Sequence, residues 1–562
     1  MRCAWRLRLL HLHEGVPQDS LRITEYYCAS MPALADLVVR RLMDAGVRTL
    51  FGVPGGGSSL DLIEAAGRAG LPFVLTATET GAAIAAVAHA EITGRPGACL
   101  TALGPGASSV VNGIACASLE RAPIVVFTDS QPVAAQGFEH QRLGLKVLFQ
   151  PVVKCSYRLE PDTALPALDH ALRTAGAGRP GPVHIEWPVD VTTAVDAPTT
   201  VDVSTRVDAE TAVSSTLEVL LARARKPLVI AGVGARRPED AAAIRALCES
   251  HRIPAMVTYK AKGVVPDDHP VFAGVFTNAA IEQPLLAESD LVLGLGLDPV
   301  ELLPRPWPVK APVVYVGPWP VADDHVPFTE HHIAYVARAV TDLDAIVTRR
   351  SDWDLSNVAE RVAQQRRRVG VRAPGLTAQR VVEIAAARLG TVARVTVDAG
   401  AHMLPATMLW PIREPNGMLI SNGLSTMGFA LPAAIGAALL APERPVAALI
   451  GDGGLLMCMG ELITAVRERL RIIVVVLDDG SLSLIEIKQQ ARRFKPAGVA
   501  LPPIDWPALA GSLGVVPFLA RDEAELELAF DNAVECPGPS LIDARIDRSN
   551  YGETVRAIRG TI

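Results

Sequence analysis

Short, continuous apolar runs recur along the chain, each separated from the next by a stretch whose apolar residues return at helical spacing. Runs such as "ACLTAL", "APIVVFT", "KPLVIAGVG" and "APVVYVG" read as strands, and their regular alternation with helical periods predicts α/β units around parallel sheets. Composition shifts divide the pattern into three blocks. The first, 31–195, ends in "GRPGPVHIEWPVDV", a strand that leaves for the Thr/Asp-rich linker "TTAVDAPTTVDVST". The second, 205–345, opens with "KPLVIAGVG". The third, 375–550, follows "RVAQQRRRVG", whose arginines read as a solvated helix face rather than a nucleic-acid patch. The expected fold class is therefore α/β, with three doubly wound parallel-sheet domains. The longest apolar run, "GFALPAAIGAALLAP" (428–442), holds Pro and Gly and is too short to span a bilayer, so it is read as a buried helix and no membrane partner is expected.

Residues 1–30 break this pattern. Arg6, Arg8, His11 and His13 interrupt the apolar character that a signal peptide needs, so the segment is read as a disordered extension, with Met31 opening the folded part. At 562 residues the chain exceeds one hydrophobic core, in keeping with several domains. A net charge of −7 without any basic run argues against nucleic acid and for small-molecule ligands. Eight cysteines are spread through the sequence without CxxC spacing, which predicts reduced thiols in a cytoplasmic protein and no structural zinc.

The chemistry concentrates in 449–481, "LIGDGGLLMCMGELITAVRERLRIIVVVLDDGS". A glycine turn between a strand and a helix suits phosphate, because backbone N–H groups and the helix dipole point there. Asp452 in that turn, with Asp478 and Asp479 ending the next strand, would repel phosphate unless a cation lies between. One helix and one strand return the chain to the same sheet edge, where ligands bind in parallel sheets. Asp452 and Asp479 can thus face one cation, with the amides of Gly453 and Gly454 turned toward phosphate oxygens. An all-oxygen set of this kind suits Mg²⁺. No G-x-x-x-x-G-K-[ST] is present, and "AGVGAR" (231–236) and "LGLGLD" (293–298) do not complete G-x-G-x-x-G, so they are read as tight turns rather than dinucleotide sites.

These residues resemble the thiamine-diphosphate enzymes. "LFGVPGGGSSLDLIEAA", "TETGAAIAAVAHAEITGRPG" and "LGPGASSVVNGIACA" are similar to the pyrimidine-binding domain of the acetolactate synthase branch, and "STMGFALPAAIGAAL" to its diphosphate-binding domain. The resemblance implies the thiamine-diphosphate-enzyme fold, with pyrimidine-binding, central and diphosphate-binding domains. It gives Mg²⁺ the side chains of Asp452 and Asp479 and the backbone carbonyl of Ser481. The usual pair at the metal is Asn-Asn, and Asp478-Asp479 departs from it.

The resemblance also makes Glu79 the acid that hydrogen-bonds N1′ of the cofactor and assists formation of the C2 ylide. Met427 becomes the wedge that holds the cofactor bent, and the backbones of Ser425 and Met427 bond the aminopyrimidine. His402, in "DAGAH", becomes a donor to the diphosphate. "FEHQRLG" matches the Phe-Gln element of the synthases and sets Gln141 beside substrate, with His140 where Phe is usual; Lys154 matches a lysine near the substrate entrance.

The implied reaction is decarboxylation of a 2-oxo acid and ligation of the resulting enamine to a carbonyl acceptor. A non-ligating decarboxylase or an aldehyde lyase is the alternative within the fold; a cofactor-binding protein without turnover and a nicotinamide dehydrogenase are alternatives outside it. Thr101, Ala102 and Leu103 stand where decarboxylases of this fold place a histidine, which weighs against simple decarboxylation. "AGVFTNAA" and "GLGLDPVELLP" lack the synthase flavin contacts, which argues against FAD. The resemblance further implies a homodimer or homotetramer with active sites between subunits.

Overall fold

The computed structural model describes residues 33–132, 140–194 and 212–560. The extension at 1–30, Met31 and most of the 192–205 linker lie outside these residues.

Among the described residues, eighteen strands form three six-stranded sheets in which every strand pair is parallel. The first sheet holds β1 (Leu50–Val53), β2 (Phe73–Leu75), β3 (Gly97–Thr101), β4 (Ile124–Ser130), β5 (Ser156–Arg158) and β6 (Val183–Pro188), in the order β2-β1-β3-β4-β6-β5. The second holds β7 (Pro227–Ala231), β8 (Ala255–Val257), β9 (Phe272–Val275), β10 (Leu291–Leu295), β11 (Val313–Gly317) and β12 (Glu330–Ile333), in the order β12-β11-β10-β7-β8-β9. The third holds β13 (Arg394–Val397), β14 (Met418–Ile420), β15 (Val446–Gly451), β16 (Ile472–Asp478), β17 (Val516–Ala520) and β18 (Ser540–Arg545), in the order β14-β13-β15-β16-β18-β17. The first and third sheets therefore share one topology. In each, the strand order reverses between the first and third strands, and the loops at that reversal open a crevice at the carboxyl ends.

Central strands such as β4 and β16 are buried along their whole length, as their continuous apolar sequences require when helices cover both faces. Helices Glu79–Thr93 and Ala430–Leu440 are apolar nearly all round, and they bury that surface against each other, joining the first and third units. The contact is close because the facing residues are small: a methyl group on Gly436 would lie 2.5 Å from the Ala85 carbonyl oxygen. Beside it, the Glu461 carboxylate accepts the N–H groups of Ala77 (3.1 Å) and Thr78 (3.0 Å), fixing the start of the first of these helices to the third unit. The glycine-rich turns of the central unit pack on each other, Gly234 N–H donating to the Gly296 carbonyl at 2.9 Å. The arginine-rich stretch forms helix Leu355–Val369, with Val358, Val362 and Val369 turned inward. Among the described residues no helix is long and apolar enough to cross a membrane.

Candidate active site

The crevice of the third sheet lies where β13 and β15 diverge, and three loops build it. β15 ends at Gly451, and helix Asp452–Cys458 begins at once. The buried Asp452 carboxylate accepts the N–H of Gly453 at 2.7 Å and the N–H of Gly480 at 2.9 Å, so it ties the ends of neighbouring strands together. Asp479 accepts the N–H of Ser481 and the hydroxyl of Ser483, each at 2.9 Å. Asp478 turns elsewhere and pairs with Arg545 at 2.8 Å.

Burial, and then the charge of Asp479, push the Asp452 carboxyl up to about 7. Burial likewise pushes Asp479 up to about 6. Two neighbouring carboxylates, Asp452 buried and Asp479 half-buried, favour either a proton or a cation, and an all-oxygen donor set selects a hard one. The glycines of the turn are required by space. A methyl on Gly454 would lie 2.0 Å from Asp398 Oδ2, and one on Gly453 would lie 2.6 Å from the Leu482 side chain. Gly453 N–H, which the sequence reading turned toward phosphate, rests on the carboxylate of Asp452.

The second loop follows β13. His402 is 5% exposed, its Nε2 has no partner among the described residues, and burial holds its ring neutral, with the pKa down to about 4. A ring nitrogen so placed at the crevice wall can hydrogen-bond a polar group in the cavity. The third loop, 421–429, carries Ser425, exposed and with φ of 55°, and half-buried Met427, whose methyl lies over Gly453. His402, Ser425, Met427, Asp452, Gly453, Gly454, Asp479 and Ser481 all line one cavity of about 380 Å³, and Lys488 and Arg559 add positive charge to its wall.

Glu79 and Gln141 lie on the first unit and do not line this cavity. Glu79 opens helix Glu79–Thr93, where Thr78 accepts the Gly81 N–H, and its carboxylate sits beside Thr101 and Gly106. Gln141, with φ of 59°, packs on Gly104 and lines a second cavity of about 400 Å³ with Ser130, Arg158 and Glu186. His140 offers its backbone carbonyl to Gln131 at 2.9 Å. Lys154 donates to the Ala177 carbonyl, at the end of helix Ala164–Gly176.

Sequence reading did not single out Asp398. Fully buried, it accepts the N–H groups of Gly428 (3.0 Å), Phe429 (2.7 Å) and Ala430 (3.3 Å), and so fixes the Met427 loop to the end of β13. In Asp398-Ala399-Gly400 the acid just past β13 marks a turn, but nothing in the sequence shows which backbone groups it holds.

Comparison with known proteins identifies the family. Models of the thiamine pyrophosphate enzymes match in chain order: the N-terminal TPP binding domain over residues 32–151, the central domain over 215–342 and the C-terminal TPP binding domain over 398–544. The chain is 28% identical to the acetolactate synthase of Bacillus subtilis (strain 168), covering 92% of this chain and 93% of that protein. It is also 28% identical to the acetolactate synthase isozyme 1 large subunit of Escherichia coli (strain K12), over 91% and 94%. It is 30% identical to a probable 2-ketoarginine decarboxylase of Pseudomonas aeruginosa, over 90% and 93%. With three matched domains in order and relatives spanning nearly its whole length, the chain belongs to the thiamine-diphosphate enzymes, in their acetolactate synthase-like branch.

Proposed function

We propose that the protein is a Mg²⁺-dependent thiamine-diphosphate enzyme that decarboxylates a 2-oxo acid and joins the remaining fragment to a second carbonyl compound. The carrying observation is the pair of carboxylates, buried Asp452 and half-buried Asp479, at neighbouring strand ends beside a glycine turn at the switch point of the third sheet. Bound thiamine diphosphate supplies the nucleophilic carbon and the electron sink that cleavage next to a carbonyl needs.

The residues supply position and protons. Asp452, Asp479 and the Ser481 carbonyl hold the cation, whose charge relieves the repulsion between the two carboxylates. His402, which lines the cavity, would face the diphosphate; a neighbouring anion would favour protonation of the ring and make Nε2 a donor. The backbones of Ser425 and Met427 would hold the aminopyrimidine, and the Met427 side chain would support its bent shape. Glu79 holds a proton at N1′, and Gln141 lies beside substrate. Lys488 and Arg559 suit an anionic substrate such as a 2-oxo acid.

Since Glu79 and Gln141 do not line the Asp452 cavity of their own chain, we assign the complete site to two chains of a homodimer, or of a homotetramer built from such dimers. Ligation is favoured by the synthase likeness and by Thr101, Ala102 and Leu103, none of which can act as a placed acid to protonate the acyl fragment. Flavin is not part of the reading. In the central unit the Glu301 carboxylate takes the Val233 N–H at 2.8 Å, and Glu282 takes those of Thr277 and Ala279, each at 2.9 Å. These backbone donors are already engaged by buried carboxyl groups of the chain itself.

A second reading, decarboxylation without ligation, is favoured by the 30% identical relative named as a probable decarboxylase. The test is a panel of 2-oxo acids, followed for CO₂ and for product with and without aldehyde acceptors. A ligated product matching CO₂ supports the proposal; free aldehyde in its place supports the second reading. After dialysis against chelator, turnover should require both thiamine diphosphate and a divalent ion, and full activity of the stripped protein would refute either reading.

A further inference from the structure

A charged cluster is buried where the three units meet, and none of the roles above uses it. Glu120, 1% exposed, directs Oε1 to the third unit, where it accepts the Ser421 hydroxyl at 3.1 Å, the Gly423 N–H at 2.9 Å and the Leu424 N–H at 3.2 Å. Its other oxygen lies 3.3 Å from Nζ of Lys260, a buried residue of the central unit. Lys260 also donates to Glu91 and, at 2.9 Å, to the Ile420 carbonyl, while Arg236 lies 3.3 Å from Glu91. Two carboxylates thus face two cations, and the cluster is close to neutral.

Desolvating four charged groups costs several kcal/mol each, and well-packed apolar residues often hold domains together as firmly. Domain adhesion alone therefore leaves the cluster unexplained. Its geometry is specific: the three donors to Glu120 Oε1 all belong to 421–424, directly before the exposed Ser425 and the cavity-lining Met427. On the far side Asp398 holds 428–430. The intervening stretch, with Ser425 in a left-handed conformation, is stretched between two carboxylate clamps, one from its own sheet and one from the first unit.

We propose that Glu120, charge-balanced by Lys260, is a positioning residue that sets Ser425 and Met427 for the aminopyrimidine end of the cofactor. This rests on the functional reading above. The clamp acts on one end of the ligand only, because the diphosphate end belongs to Asp452, Asp479 and His402.

The test is calorimetric titration of the full chain with two probes, thiamine diphosphate and inorganic diphosphate, each with saturating Mg²⁺. In Glu120→Ala, thiamine diphosphate affinity should fall about tenfold, as buried donors lose a charged acceptor, while inorganic diphosphate affinity stays within about twofold. Glu120→Gln keeps an acceptor oxygen and should recover most of the loss. Equal loss of both probes would mark Glu120 as structural only, and unchanged thiamine diphosphate affinity would also overturn the proposal. Should Glu120→Ala not fold, Ser421→Ala decides by the same pair of titrations: a loss of about threefold confined to thiamine diphosphate is expected, and no selective loss overturns it. Wild-type protein that binds inorganic diphosphate but not thiamine diphosphate would remove the functional reading itself.

Discussion

At Asp452 one carboxylate bridges two strand ends and faces the cavity, whereas Asp479 is held by its own turn and a neighbouring serine. Their replacement should therefore differ. Asp452→Ala removes both the bridge to Gly480 and a cation ligand, and should abolish metal-dependent cofactor binding in calorimetry. Asp479→Asn keeps a carbonyl oxygen and relieves the repulsion at Asp452, so binding should persist with metal affinity weaker by about tenfold or less. Replacement of Asp478, which faces Arg545, should affect binding least. Wild-type affinity in Asp452→Ala would mean that these acids only close turns. Asp452 and Asp479 stand out in the sequence because acids beside a phosphate-type glycine turn are an electrostatic contradiction that a cation resolves. Asp398 and Glu120 gave no such signal. Their partners are backbone N–H groups, some thirty residues away for Asp398 and some three hundred for Glu120, and an amide donor has no signature of its own in the sequence.

Elements were legible where their period was strong. "ACLTAL", "APIVVFT" and "APVVYVG" correspond to β3, β4 and β11, and the buried helix expected within 428–442 is Ala430–Leu440. Which helix it would meet was not legible, because small apolar residues pack against any comparable surface. The contact of Gly436 with the Ala85 backbone makes the pairing testable. Gly436→Val places side-chain atoms where the neighbouring helix lies, and should destabilise the protein by about 1–3 kcal/mol in denaturant unfolding. An unchanged midpoint would show that the helices part without cost. In the first sheet, His184 of β6 joins two neighbouring strands, with Nε2 2.8 Å from the Thr128 hydroxyl of β4 and Nδ1 2.7 Å from the Ser156 hydroxyl of β5. Burial drives its pKa from 6.5 down to about 3. Between those values the unfolded chain binds a proton that the folded ring refuses, so stability falls as pH falls through that window. Taken from about pH 7 to about pH 5, wild-type protein should lose roughly 2 kcal/mol more than His184→Asn, a side chain that does not titrate. Equal losses in the two proteins would show that His184 is protonated in the fold.

On the scale of the whole molecule, the alternation of runs conveyed three parallel α/β units but not how they meet. Meeting points are made by pairs such as Glu461 with Ala77 and Thr78, or Lys260 with Glu91, whose separation in sequence hides them. The first and third units share a strand order, and each carries half of the proposed machinery: Glu79 and Gln141 on one, Asp452, Asp479, His402 and Met427 on the other. A closed two-fold assembly would bring the first unit of each chain to the third unit of its partner, producing two equivalent sites. The arrangement makes a prediction that a single-chain site does not. Glu79→Gln and Asp452→Ala should each be inactive alone. In a hybrid dimer, one site receives Glu79 from the second variant and Asp452 from the first and is intact, while the other site carries both defects. Random reassortment of equal amounts makes about half of the dimers hybrid, so activity should return to about a quarter of the wild-type level. The recovery should appear only after co-expression or reversible dissociation, since subunits that do not exchange cannot mix. Absence of any recovery, with hybrids demonstrated by differential tagging, would place Glu79 and Asp452 in the same chain's site and remove the case for a shared one.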